Sequence, residues 1–210
     1  MKRLKRFMHF NEAMKSSRDL DPGVGLFIYE DTLTLYNPNN DKVYGYVGLK
    51  SVKNPIFFRT KEGLFYTFPA IAAQSGFGPL IYEFALMYVK TKDSNLMVAR
   101  DGDIRDKAFN VWKKFYNRAD VLKKTLPMSH KAYNFAIVTG DDDFSGMPKE
   151  IEYEFHTQNG NEKDIIIYNT MMSMEPSKEF FSLQEKYTDL DLEEISDMGR
   201  DFFSEYYNNY

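Results

Sequence analysis

The hydrophobic positions of this chain change period several times, and each change predicts a change of element. "VGLFIYED" (24–31), "TLTLYN" (32–37) and "KVYGYVGLKS" (42–51) are rich in β-branched and aromatic residues and predict strands. "DPG" at 21–23 predicts a turn before them, and "NPNND" at 37–41 a hairpin connection. "GLFYTFPAIAA" (63–73) is a further apolar strand. Its Pro69 has no amide to donate, so it belongs at an edge, a bulge or a splayed position. After it the period turns helical. Leu80, Ile81, Phe84, Ala85, Met87 and Tyr88 recur at helical spacing, and Gly78 and Pro79 stand where that helix begins, since proline suits the first turn.

"NLMVAR" (95–100) predicts a short strand, and "DGDIRDKAFNVWKKFYNR" (101–118) a second helix with Asp103 as its N-cap. Ile104, Ala108, Val111 and Phe115 form its expected buried stripe, with Trp112 beside it. "YNFAIVTG" (133–140), "IEYEFHTQ" (151–158) and, after a "QNGN" turn, "DIIIYNTM" (164–171) read as strands. Two helices are expected in the tail, over 177–187 and 192–207, the second with Asp191 and Glu194 spaced as in a capping box. A short N-terminal helix would line up Leu4, Phe7 and Met8 with Phe10 or Met14. The order predicts a mixed α/β (α+β) fold: a mostly antiparallel central sheet flanked by helices. Three parts are expected: an N-terminal helical segment (1–20), a central domain (21–170) and an acidic C-terminal helical extension (171–210).

Composition changes this picture little. Hydrophobic residues make up 43% of the 210 positions, enough for a core, and the formal net charge of −4 gives no global pull toward nucleic acid or an anionic membrane. The charge is unevenly placed: 105–124 holds seven basic residues against two acidic, and 175–210 ten acidic against three basic. The absence of cysteine excludes disulfides, thiolate metal sites and cysteine nucleophiles. With no secretory pattern at the N-terminus and no long apolar run, a cytoplasmic protein is expected.

The candidate chemistry lies in "AAQSGFGPLIYEFALMYV" (72–89). A strand that ends in a glycine turn and opens a helix presents backbone N–H groups, and the helix dipole, to an anion such as pyrophosphate. Gly76 and Gly78 would let that backbone approach closely. The same stretch also reads as a plain strand-to-helix corner. Neither G-x-G-x-x-G nor a Gly-Lys-Ser/Thr follows.

Joined to its surroundings, the stretch resembles the GNAT acyl-CoA N-acyltransferase superfamily over residues 24–120. That family writes its phosphate loop Gln/Arg-x-x-Gly-x-Gly/Ala and follows its next strand with Asn-x-x-Ala-x-x-x-Tyr on a helix. Gly76, Phe77 and Gly78 match the end of the loop pattern and Ala108 the later alanine; "PLIYEFAL" and "AFNVWKKFY" are similar to phage-encoded acetyltransferase-like proteins. Three positions depart. Ala73 takes the Gln/Arg place with Gln74 one residue late, Arg105 takes the Asn place, and Trp112 the tyrosine's. Nor does any carboxylate that could act as base occur from Leu64 through Tyr82.

The resemblance implies that acetyl-CoA, or another acyl-CoA, binds along Ile71, Ala73, Gln74, Ser75, Gly76, Phe77, Gly78 and Pro79. Its pyrophosphate would rest on the amides of Ser75 to Gly78, and its pantetheine arm beside the splayed strand near Ile71. Lys107, Arg105 or Lys113 would meet a nucleotide phosphate, and Tyr116, one turn beyond Trp112, would be the acid. The partners implied are an amine acceptor and, in a phage setting within the host cytoplasm, a host protein. A non-catalytic GNAT-fold binding or inhibitory module is the alternative, and DNA-base modification a third. Nucleic acid fits less well with the negative charge.

Other motifs read as structure. Asp141, Asp143, Ser145, Gly146 and Glu152 fall at EF-hand positions, but strands flank them and Pro148 stiffens the loop, so an acidic turn is expected. His9, His130 and His156 lack paired-ligand spacing, so no metal site is expected.

Overall fold

A computed structural model describes residues 15–53, 64–94, 97–98, 106–125, 167 and 170–208. Four strands, β1 (Gly25–Tyr29), β2 (Thr32–Asn37), β3 (Lys42–Lys53) and β4 (Leu64–Ala73), form an antiparallel sheet in sequence order. The turns between the first three match their residues. Asp41 adopts φ of 56°, a left-handed conformation that aspartate tolerates at tight corners, and Glu30, with φ of 51°, adopts it at the β1–β2 corner. The Thr32 hydroxyl donates to the Tyr29 carbonyl at 2.7 Å, closing the first corner.

β3 alternates from Gly45 onward; before it, at the register shift opposite Leu35 and Tyr36, Tyr44 also enters the main core. Val47 and Leu49 enter the main core, which leaves Tyr46, Gly48 and Lys50 on the other face. Across from it, Pro69 sits where expected, at a bulge: Leu49 alone faces both Phe68 and Pro69, between the pairs Gly48↔Ala70 and Lys50↔Thr67.

Helix α1 (Gly78–Lys92) follows β4, and residues 97–98 then run parallel to it, with Tyr66 N–H donating to the Met97 carbonyl at 3.0 Å. After α2 (Asp106–Tyr116), β5 (Val121–Thr125) pairs antiparallel with β6 (Thr170–Met174). Val98 exchanges both backbone bonds with Met172, at 2.8 and 2.9 Å, so one residue joins the four-stranded sheet to the two-stranded one. The expected mostly antiparallel sheet is present, and the Tyr66–Val98 bridge adds a parallel contact across α1.

The core lies between the sheet and α1, which is buried through most of its length from Leu80 to Val89. Phe84 meets Phe180 of α3 (Lys178–Gln184) with ring centroids 5.9 Å apart. The opposite face of the sheet carries α4 (Leu192–Asn208), whose Ile195 joins Phe27 and Tyr36 in a smaller cluster. Both tail helices start at caps readable in the sequence. Ser177 Oγ accepts from Phe180 N–H at 3.1 Å, and Asp191 Oδ1 from the amides of Glu193 and Glu194 at 2.9 and 3.2 Å.

Three expectations need correction. The strand placed at 164–171 begins at Thr170, and Ile167 before it is helical. β5 had no expected counterpart. Trp112 is not beside the buried stripe of α2 but in the core at 1% exposed, whereas Val111 is only partly buried. The N-terminal helix (all but Met14 of its face lies in residues 1–13), Asp103, Ile104, Arg105, the strands at 133–140 and 151–158, the acidic loop from Asp141 to Glu152, and His9, His130 and His156 lie outside the described residues, as does Met14.

Candidate functional site

The glycine stretch closes as a tight turn. Phe77 N–H donates to the Gln74 carbonyl at 3.0 Å, and Gly76, the third residue, has φ of 87°. That is the type II pattern, in which the third position needs a left-handed residue and hence glycine. The turn is held from three sides. Gln74 donates its backbone N–H to the Tyr44 carbonyl at 2.9 Å and its side-chain amide to the Val43 carbonyl. Lys15 N–H donates to the Gly76 carbonyl at 3.1 Å, and Lys15 Nζ lies 4.6 Å from the centre of the Phe77 ring. Phe77 itself is buried edge-on against Tyr44. Gln74 and Phe77 therefore anchor the loop through side chain and backbone alike, since the amides and carbonyls of both are bonded within the fold.

The amides of Ser75, Gly76 and Gly78 have no backbone partner among the described residues. α1 begins without a side-chain cap and without an acidic residue in its first turn, so its positive end is left uncompensated. Above Gly78 the space is open: a Cβ there would meet nothing within 4 Å. These features fit a phosphate group.

Ile71 and Ala73 precede the turn on β4, both partly buried against the main core. Among the described residues, β4 is paired on its outer edge only at Tyr66, so residues 67–73 leave that edge open toward the end where α1 begins. A crevice beyond the carboxyl end of a strand that precedes a helix is the usual ligand position in open α/β sheets. A cleft of about 420 Å³ lies along the first turns of α1, bordered by Lys15, Arg18, Pro79, Glu83, Ser177 and Glu179, and no residue of β4 lines it. The nearest carboxylate on α1, Glu83, is held in a two-pronged pair with Arg118 at 2.7 and 3.3 Å, which turns it away from duty as a free base.

The second cluster of expected site residues stands on α2. The Trp112 ring packs edge-on to Phe68 at 6.1 Å, and its Nε1–H donates to the Ile167 carbonyl at 3.2 Å. Its one polar group is thus used within the core. Tyr116 ends the helix, partly buried against the main core, with Lys123 Nζ of β5 5.8 Å from its ring centre. That contact, rather than the glycine turn, is its neighbour. Lys107 falls in the first turn of α2, and its side chain lies outside the described set. Tyr82, in the second turn of α1, is pushed above its usual pKa by burial and stays protonated at neutral pH.

Lys15 escaped the sequence reading because nothing local marks it; only the folded chain brings it over Phe77. No His, Cys, Asp or Glu cluster able to hold a metal occurs among the described residues, and no helix there is long and apolar enough to cross a membrane. No protein-family model, curated protein or solved structure matches the chain.

Proposed function

We propose that the chain is a GNAT-type N-acyltransferase that moves an acetyl or related acyl group from acyl-CoA to an amine. One observation carries the reading: a glycine turn with open space above Gly78, placed where β4 meets the uncapped end of α1, with the turn's amides and the outer edge of β4 beyond Tyr66 unpaired among the described residues. Acetyl-CoA supplies the activated acyl group. The amides of Ser75, Gly76 and Gly78 hold its pyrophosphate, and Lys15 adds a charge beside them. The free edge of β4 near Ile71 offers amides and carbonyls to the pantetheine arm, and an amide there polarises the acyl carbonyl. Tyr116 is the proposed proton donor, since Trp112 has committed its N–H to Ile167.

That same commitment favours a second reading, a binding module that keeps the cradle and lacks the chemistry. Turnover separates the two. With no cysteine in the chain, free CoA thiol can be followed without background. Thiol release from acetyl-CoA that depends on an added amine, and that falls at least about tenfold in Tyr116→Phe, is the result expected of general-acid catalysis. Binding of acetyl-CoA with no amine-dependent thiol release supports the module, and full turnover in Tyr116→Phe removes the role given to Tyr116.

A further inference from the structure

The face of the sheet opposite α1, which α4 covers, carries polar groups that are unpartnered among the described residues: the Thr34 hydroxyl, beside Gly199, and three others on Tyr46, Lys50 and Thr67. Tyr46, Gly48 and Lys50 point to this face, because Val47 and Leu49 between them enter the α1 core. On β4, Tyr66 lies under Lys92 Nζ of α1 and Phe68 packs on Tyr82 and Trp112, so Thr67 between them turns the other way. The register makes the three neighbours. Lys50 is paired directly with Thr67, and Gly48 with Ala70. The Tyr46 hydroxyl lies over Gly48, 3.4 Å from where a Cβ would stand, with the Ala70 Cβ 3.5 Å from the same point. Thr67 is 4% exposed and its hydroxyl has no hydrogen-bond partner. Among the described residues neither the Tyr46 hydroxyl nor the ammonium of partly buried Lys50 makes a hydrogen bond or ion pair.

Folded proteins pair their buried polar groups, and an unpaired hydroxyl beside an unpaired ammonium calls for a ligand that accepts from both. We infer that Lys50, Thr67 and Tyr46 form a subsite for a carboxylate. A carboxylate offers two oxygens that accept several hydrogen bonds, and its single negative charge matches the one ammonium. Gly48 and Ala70, between the three groups, carry no side chain beyond a Cβ. Burial raises the pKa of Tyr46 above its ordinary value, so its hydroxyl is protonated at neutral pH and donates.

The subsite adjoins Ala70, one residue before Ile71. Resting on the acyltransferase reading, this places it on the acceptor's side of β4 and makes the acceptor an amine that carries a carboxylate, such as an amino acid. The product is then an N-acyl amino acid, formed as the amine nitrogen bonds to the acyl carbon, the carbon–sulfur bond breaks, and the amine's proton ends on the CoA sulfur.

The test uses products as probes, with the isotope-labelled full chain followed by backbone amide shifts. N-acetylglycine, N-acetyl-β-alanine and N-acetylglutamate are compared with N-acetylglycinamide. At least one carboxylate should give saturable shifts at Gly48, Thr67 and Ala70, with affinity lowered about tenfold in Lys50→Met and several-fold in Thr67→Val, while the amide gives none. Well-dispersed spectra of both variants would show that they fold. No saturable shift with any carboxylate, equal binding of the amide, or unchanged affinity in Lys50→Met would each overturn the subsite. If acetyl-CoA binds the wild type and no carboxylate does, the subsite alone falls. Carboxylate binding without acetyl-CoA binding would uphold the subsite and overturn the acyltransferase reading.

Discussion

Gly76 and Gly78 stand two residues apart and have opposite tolerances. Gly76 is held at φ of 87°, so Gly76→Ala should cost about 1–2 kcal/mol in urea unfolding, the penalty for a Cβ in the left-handed region. Gly78 has ordinary backbone and open surroundings, so Gly78→Ala should stay within about 0.5 kcal/mol of wild type. One glycine shapes the turn, and the other keeps space above it.

Tyr36 makes a prediction of a different kind. Burial, reinforced by its hydrogen bond to Asp41 at 2.7 Å, raises its pKa to about 12 from an ordinary value of 10.0. A raised tyrosine pKa contributes stability that is complete below the unfolded value and lost as pH rises through the folded one. Unfolding midpoints should therefore fall between pH 10 and about 12, and Tyr36→Phe, which also loses the hydrogen bond to Asp41 at neutral pH, should flatten that slope.

At the level of elements, α4 docks through a glycine. A Cβ on Gly199 would stand 2.4 Å from the Tyr46 ring and 2.6 Å from the Thr34 hydroxyl. Gly199→Ala should then lift the helix and destabilise by about 1–3 kcal/mol, the usual cost of overpacking, read from the denaturation midpoint. The elements that sequence pattern identified best are those bounded by local signals, a turn, a Gly-Pro pair or a cap. β2 matched to the residue, α1 began at its Gly-Pro pair, and both tail helices began at caps. β5 was illegible because only Val121 among its first four residues is buried, so "VLKKT" has no alternation to read. β6 failed for the opposite reason: all five residues of "TMMSM" are buried, three of them flexible methionines, while the β-branched "III" before it drew the strand assignment. Trp112 was set beside its stripe because the stripe of α2 is wider than the four positions that defined it.

At the scale of the molecule, the sheet's two parts meet at Val98, and β4's outer edge opens past that junction to the glycine turn. The turn was legible because its chemistry lies in five consecutive residues. Lys15 and the group of Lys50, Thr67 and Tyr46 were not, because the β3–β4 register and the chain's return over Phe77 bring them together. The proposed acyl-CoA binding requires that the space above Gly78 take a phosphate. A glutamate there would fill it and oppose the charge, yet leave the fold intact. Calorimetric titration of acetyl-CoA into wild type and Gly78→Glu, with matching thermal melts as the control, tests this most directly. Saturable binding by wild type that Gly78→Glu abolishes is the expected result. No binding by wild type, or equal binding by both, would contradict it.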